Sequence, residues 1–184
     1  MKSILVKQLM VPLEDYATVS EEATLYEAVV ALEEAQKSLD PRRQKHRAIL
    51  VYNAQKQIVG KLSQIDVLRS LEPKYEDIGD MKAISRFGFS REFVTSMLRN
   101  YGLWEKPLQD ICRKAAQKKV KDIMNTPGKG EFVAEDATLN TAIHQLIMGQ
   151  HQSLLVTRGE AIVGILRLSD VFEEVCNAMK ACAL

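Results

Sequence analysis

The chain of 184 residues is 46% hydrophobic and 27% charged with a formal net charge of +1, which suits one compact unit or two small ones sharing a core. That balance gives no overall argument for nucleic acid or an anionic membrane, and no apolar run approaches the roughly 20 residues that span a bilayer. The N-terminal stretch from Met1 turns polar at Lys7-Gln8, too short and broken for a secretory signal. Cys112, Cys176 and Cys182 lack C-x-x-C spacing, so reduced thiols in a cytoplasmic protein are expected, with neither a disulfide framework nor a zinc site.

In chain order, Val6-Lys7-Gln8-Leu9-Met10 leads into a loop and a short apolar stretch at Thr18-Val19. Thr24 then starts a helix as the first residue of a T-x-x-E capping box with Glu27, and Leu25, Ala28, Val29 and Leu32 fall on one face. Lys37 to Lys45 is a long connection carrying Asp40-Pro41-Arg42-Arg43. Apolar runs from Ala48 to Tyr52 and from Gln57 to Leu62 flank a polar turn at Asn53 to Lys56, which predicts an antiparallel hairpin. A closing helix follows from about Gln64 to Leu71.

Residues 72–119 hold six of the chain's eleven aromatics (Tyr75, Phe87, Phe89, Phe93, Tyr101 and Trp104), and disordered tethers are poor in aromatics. Ser90 caps a predicted helix to Asn100 with Gly102 as its stop, and Pro107 suits the first turn of another to about Lys118. This is a folded helical insertion.

The signals then return. Val120-Lys121-Asp122-Ile123-Met124 repeats the lead-in, and Ala137-Thr138-Leu139 repeats Ala23-Thr24-Leu25 at the same offset of 114. Leu139, Ala142, Ile143, Leu146 and Ile147 form the matching stripe. A hairpin from Leu154 to Leu166 turns at Arg158-Gly159-Glu160 and precedes a helix from about Leu168 to Met179. Ile162-Val163-Gly164 and Asp170 repeat Ile58-Val59-Gly60 and Asp66 at an offset of 104. Each unit reads β-α-β-β-α, and a duplicated unit implies pseudo-twofold packing with ligands in the groove between halves.

This order, with the Met-loop-Val-x-x-x-Ala-Thr-Leu lead-in and the Val-Gly-x-Leu-x-x-x-Asp exit, resembles a CBS domain, named for cystathionine beta-synthase; the tandem resembles a Bateman module. The resemblance covers about residues 6–71 and 120–178. It implies an α/β (α+β) fold of two β-α-β-β-α units packed through their sheets about a pseudo-twofold axis. The expected segments are 1–71, the helical insertion 72–119, and 120–184. It further implies a homodimer and two clefts able to take AMP, ADP, ATP or S-adenosylmethionine as regulatory ligands. Such pairs are not catalytic; they regulate partner proteins.

Gly60-x-x-Ser63-x-x-Asp66 matches the family's ribose and phosphate motif position by position. Gly60 would let a ligand approach the strand, a helix N-terminus favours phosphate, and Asp66 would accept from a ribose diol. Ser63 with Asp66 also suits an ordinary helix start. In the second unit Arg167 replaces the serine: its planar fork could hold a phosphate, or its bulk could fill the cleft or pair with Asp170. The adenine pocket is expected at Thr18, Val19, Val133 and Ala134, although both valines also suit core positions. His46, Arg47 and Lys129 are candidate phosphate contacts, with Arg42 and Arg43, against the plainer reading of solvated basic loops. His46, His144 and His151 have no metal-ligand spacing, and no nucleophile-base pair argues for an enzyme. The basic run Arg113 to Lys121 lacks a groove-reading motif, which argues against nucleic acid.

Two functions follow. One is a regulatory module that senses an adenine nucleotide and signals to a separate protein. The other is an interaction scaffold with degenerate clefts that docks its partner through the aromatic helical insertion.

Overall fold

The computed structural model describes residues 4–38, 45–75 and 88–182; Arg42, Arg43 and Phe87 lie outside them. The strands are β1 (Val11–Pro12), β2 (Thr18–Ser20), β3 (Ala48–Tyr52), β4 (Ile58–Ser63), β5 (Phe132–Ala134), β6 (Ser153–Arg158) and β7 (Ala161–Arg167). The α-helices are α1 (Leu25–Ser38), α2 (Gln64–Leu71), α3 (Arg91–Asn100), α4 (Leu108–Ala115), α5 (Val120–Ile123), α6 (Leu139–Gly149) and α7 (Leu168–Cys182).

The predicted order is present twice, as β2-α1-β3-β4-α2 and β5-α6-β6-β7-α7. The capping box forms as expected: Thr24 N donates to Glu27 Oε2 at 2.7 Å and Glu27 N to Thr24 Oγ1 at 3.2 Å. In each unit the short first strand runs parallel to the second, and the second and third form the antiparallel hairpin. The sheets have the orders β2-β3-β4 and β1-β7-β6-β5.

Each central strand is buried on both faces, so its apolar run is continuous rather than alternating. Ile49 and Val51 pack on Leu25 and Ala28 of α1, while Leu154 and Val156 pack on Leu139, Ala142 and Leu146 of α6. The residues between them point the other way: Leu50 meets Leu155 and Ile165 in a third core that joins the two sheets.

The lead-in segments are exchanged between units. Val6 N donates to Ala137 O and Lys7 N to Glu135 O, both at 2.9 Å. In the mirrored arrangement Val120 N donates to Ala23 O at 2.9 Å and Lys121 N to Glu21 O at 3.0 Å. Val6 is buried in the second unit's core, and Val120 in the first unit's. Strand β1, too short to announce itself in sequence, pairs with β7 of the other unit.

The exchange explains the repeated glycines. A β-carbon on Gly60 would stand 2.5 Å from Met124 Sδ, and one on Gly164 would stand 2.5 Å from the Val11 carbonyl oxygen and 3.1 Å from Met10 Sδ. The close approach expected of a ligand at Gly60 is therefore made by the second lead-in.

The described part of the insertion carries the helices α3 and α4, with Ser90 Oγ accepting from Phe93 N at 3.1 Å. Pro107 stands just before α4, which stops at Ala115 rather than near Lys118. The carbonyls of Ala116 and Lys118 are used instead by the first amides of α1, accepting from Tyr26 N at 3.2 Å and Leu25 N at 2.8 Å. Buried Glu72, after α2, accepts from Trp104 N at 2.9 Å, and Trp104 Nε1 donates to the Tyr75 hydroxyl at 3.1 Å. These contacts tie the insertion to the end of α2 opposite Ser63.

Candidate functional site

Ser63 closes β4 and caps α2. Its hydroxyl oxygen accepts from Asp66 N at 3.4 Å, while Asp66 Oδ2 accepts from Ser63 N at 2.9 Å and Ser63 Oγ at 2.5 Å. The pair is a reciprocal capping box. Asp66 Oδ1 lies 3.6 Å from the Arg69 guanidinium, and the carboxylate side chain is 11% exposed. An acceptor beside a helix N-terminus is thus held in a fixed direction.

At the matching position in the second unit, Arg167 takes the pairing alternative. Its Nε and NH2 donate to the two Asp170 carboxylate oxygens at 2.6 and 2.5 Å, a fork-to-carboxylate bond. Its NH1 lies 3.3 Å from Nδ1 of His46, which belongs to the first unit. The His46 ring meets the Tyr16 ring edge-on at a centroid distance of 4.2 Å. Tyr16, His46 and Arg167 are all buried. Burial pushes the Tyr16 hydroxyl up to about 12, with the Arg167 charge opposing that shift. His46 therefore lies inside the second cleft, at 2% exposure, and not on a solvent-facing basic loop.

The first cleft is lined differently. Gln64 N donates to Arg47 O, and Leu168 N donates to Gln152 O, so the hairpin registers make His151 the mate of His46. Residue 130 is likewise the mate of 16: Thr18 pairs with Leu50 as Phe132 pairs with Leu155. Where the second cleft has the Tyr16 ring, the first has Gly130, which is exposed, and His151 is half-buried. A β-carbon on Gly130 would stand 3.7 Å from His151 Nε2. Sequence reasoning weighed His151 only as a metal ligand; its pairing with His46 by an offset of 105 was the available signal.

Across the same side, the Lys61 ammonium pairs with the Glu131 carboxylate of the second unit, the side chains being 13% and 14% exposed. Glu131 also accepts from Gly128 N at 3.2 Å and Asn125 Nδ2 at 3.4 Å. Partial burial raises the Glu131 pKa, but Lys61 and these donors outweigh it and hold the carboxyl below its usual range.

Val19 and Val133 are 8% and 5% exposed and fill the cores of their own units, as their alternative reading had it. Thr18, Ala134, Arg47 and Lys129 are exposed. Among the described residues no group of three or more His, Cys, Asp or Glu side chains could hold a metal ion, and no helix is long and apolar enough to cross a membrane.

The two-unit architecture has close counterparts among solved structures. CBSX2, in complex with AMP, is 19% identical, with 96% of this chain and 98% of that chain covered and a TM-score of 0.58. The CBS domain of the bacterial CNNM/CorC family Mg2+ transporter, in complex with ATP, is 17% identical, with 94% and 87% covered and a TM-score of 0.59. A CBS domain-containing protein of unknown function from Bacillus anthracis is 15% identical, with 95% and 94% covered and a TM-score of 0.61. No curated protein matches the chain. The CBS domain family itself matches residues 6–73 and 120–177, the two β-α-β-β-α units with their lead-ins, so the chain belongs to the CBS-domain family.

Proposed function

We propose that the chain is a regulatory module that binds one adenosine-containing nucleotide, in the cleft headed by Ser63 and Asp66. The observation that carries this reading is the unequal lining of the two clefts. Tyr16, His46 and the Arg167–Asp170 pair fill the second. In the first, Gly130 leaves no ring in the place of Tyr16, and His151, the mate of His46, is half-buried. Solved relatives of the same fold hold AMP or ATP, which favours an adenine nucleotide as the ligand class. Asp66 would meet the ribose hydroxyls, the α2 N-terminus and Ser63 the first phosphate, and Thr18 and Ala134 the adenine edge through backbone. Arg47 and Lys129, both exposed, are the candidate outer cations.

In this reading no step is catalytic; binding biases the two units and α2 carries the change to the insertion that its far end holds. The protein acts in the cytoplasm as a homodimer and signals to a separate protein. Exposed Ile65 and Leu68 on α2, and Phe172 and Met179 on α7, support the dimer, with exposures of 60%, 54%, 67% and 67%. An interaction scaffold is the second reading, favoured by exposed Phe93, Val94, Leu98 and Tyr101 on and just after α3.

Thermal melting with AMP, ADP, ATP, S-adenosylmethionine and NAD tests the proposal. A ligand at about 100 times its Kd stabilises the fold by about 2.7 kcal/mol. Asp66→Ala should abolish most of the rise and Asp170→Ala much less. An unchanged melt at millimolar concentrations of every compound would leave the scaffold reading standing instead.

A further inference from the structure

The Lys61–Glu131 pair occupies a place that the fold does not require to be charged. Lys61 is the pseudo-twofold mate of Ile165, and Glu131 of Ala17. Ile165 is fully buried in the core between the sheets. Ile165 and Ala17 are both buried and apolar at the matching positions, so the part-buried ions on the other side of the axis are not demanded by the repeat's architecture. Buried ion pairs commonly stabilise no better than apolar replacements of similar volume.

The pair is also placed to be exchanged. Lys61 stands two residues before Ser63 on β4, which puts both side chains on one face of the strand, about 7 Å apart. Its main chain is fixed: Lys61 N donates to Asn125 O at 3.0 Å, and Asn125 N donates to Lys61 O at 2.8 Å. The side chain can therefore turn on its four-carbon stem without disturbing the strand. Glu131 keeps the Gly128 amide and the Asn125 side-chain amide as donors when the ammonium leaves.

From this geometry we infer that Lys61 and Glu131 form a latch between the units, opened when a polyphosphate in the first cleft takes the Lys61 ammonium. The inference rests on the reading of that cleft as a nucleotide site. It makes Lys61 a specificity residue for phosphate number, and makes loosening of the two units the signal that a polyphosphate sends. Adenosine, which carries no phosphate, leaves the latch closed.

The test compares binding of adenosine, AMP, ATP and inorganic tripolyphosphate to the wild-type chain, Lys61→Met and Glu131→Gln by calorimetry, after melting shows that each variant folds. A charged hydrogen bond at this strength corresponds to roughly tenfold in affinity. Lys61→Met should weaken ATP and tripolyphosphate about tenfold, Glu131→Gln should tighten both by a similar factor, and adenosine should stay within about twofold. Nucleotide binding that neither variant changes, or that both change equally for adenosine and ATP, overturns the latch while the nucleotide reading stands. Tripolyphosphate binding that depends on Lys61, without any adenosine binding, supports the latch and overturns the adenine assignment. Binding of none of the four overturns both.

Discussion

Met124 packs against Gly60 of the first unit, and its repeat counterpart Met10 packs against Gly164 of the second. The lead-in methionines and the hairpin glycines, each repeated in sequence, are thus two halves of one contact made twice across the unit boundary. Sequence reasoning located both members of the pair and assigned the glycine to a ligand, because nothing local tells which chain segment will come close.

Replacing Gly164 by Ala should destabilise the fold by about 2 kcal/mol, because the new methyl would meet the Val11 main-chain oxygen, which cannot retreat without breaking the β1–β7 pairing. Gly60→Ala should cost less, since it meets the flexible thioether of Met124 first. Urea unfolding of the two variants checks the order; equal losses would count against the exchanged contacts.

Arg167→Ala should lower stability by about 3 kcal/mol or more, since it strands the Asp170 carboxylate beside buried His46 and Tyr16. The double variant Arg167→Met with Asp170→Leu should recover most of that loss, because no buried charge is then left unpaired. Chemical denaturation midpoints provide the comparison. A double variant as unstable as the single one would show that the ions themselves hold the units together.

Ser63→Ala should cost about 1 kcal/mol in the absence of any nucleotide, as the loss of a helix cap does. The same substitution should weaken a phosphate-bearing ligand in addition. Measuring both stability and binding separates the two roles: a stability loss alone would confine Ser63 to capping.

Glu72 governs the seat of the insertion. The Trp104 amide holds its carboxyl below the ordinary carboxylate range, aided by the Lys74 amide. A depressed folded-state pKa contributes stability above the unfolded value near 4.5, and that contribution is lost as pH falls through the folded one. Trp104 is the only tryptophan, so its emission should shift to the red below about pH 4.5 as the insertion loosens. Glu72→Gln should show the loosened spectrum at neutral pH with its acid transition removed. An emission maximum that is the same in both proteins across the range would place the anchor elsewhere.

The tandem repeat, its element order, the Thr24 box and the Ser90 cap were legible because each rests on residues within a turn or two of one another. The aromatics of residues 72–119 likewise indicated a folded insertion, and Tyr75 and Trp104 do pack, at a centroid distance of 6.4 Å. Arg167 could be seen to break the symmetry, but its choice between a phosphate and Asp170 could not be read, since His46 and Tyr16 stand more than a hundred positions away in the chain.

The sequence by itself determined two like units, their periodic apolar faces and the residue differences that make their clefts unequal, because period, capping and spacing act locally. Only the tertiary structure decided that the lead-ins trade places, that Tyr16 and His46 cover Arg167, and that Lys61 reaches Glu131 across a separation of 70 residues. Those outcomes depend on the pseudo-twofold axis, which turns one unit onto the other and brings together side chains that no local pattern connects.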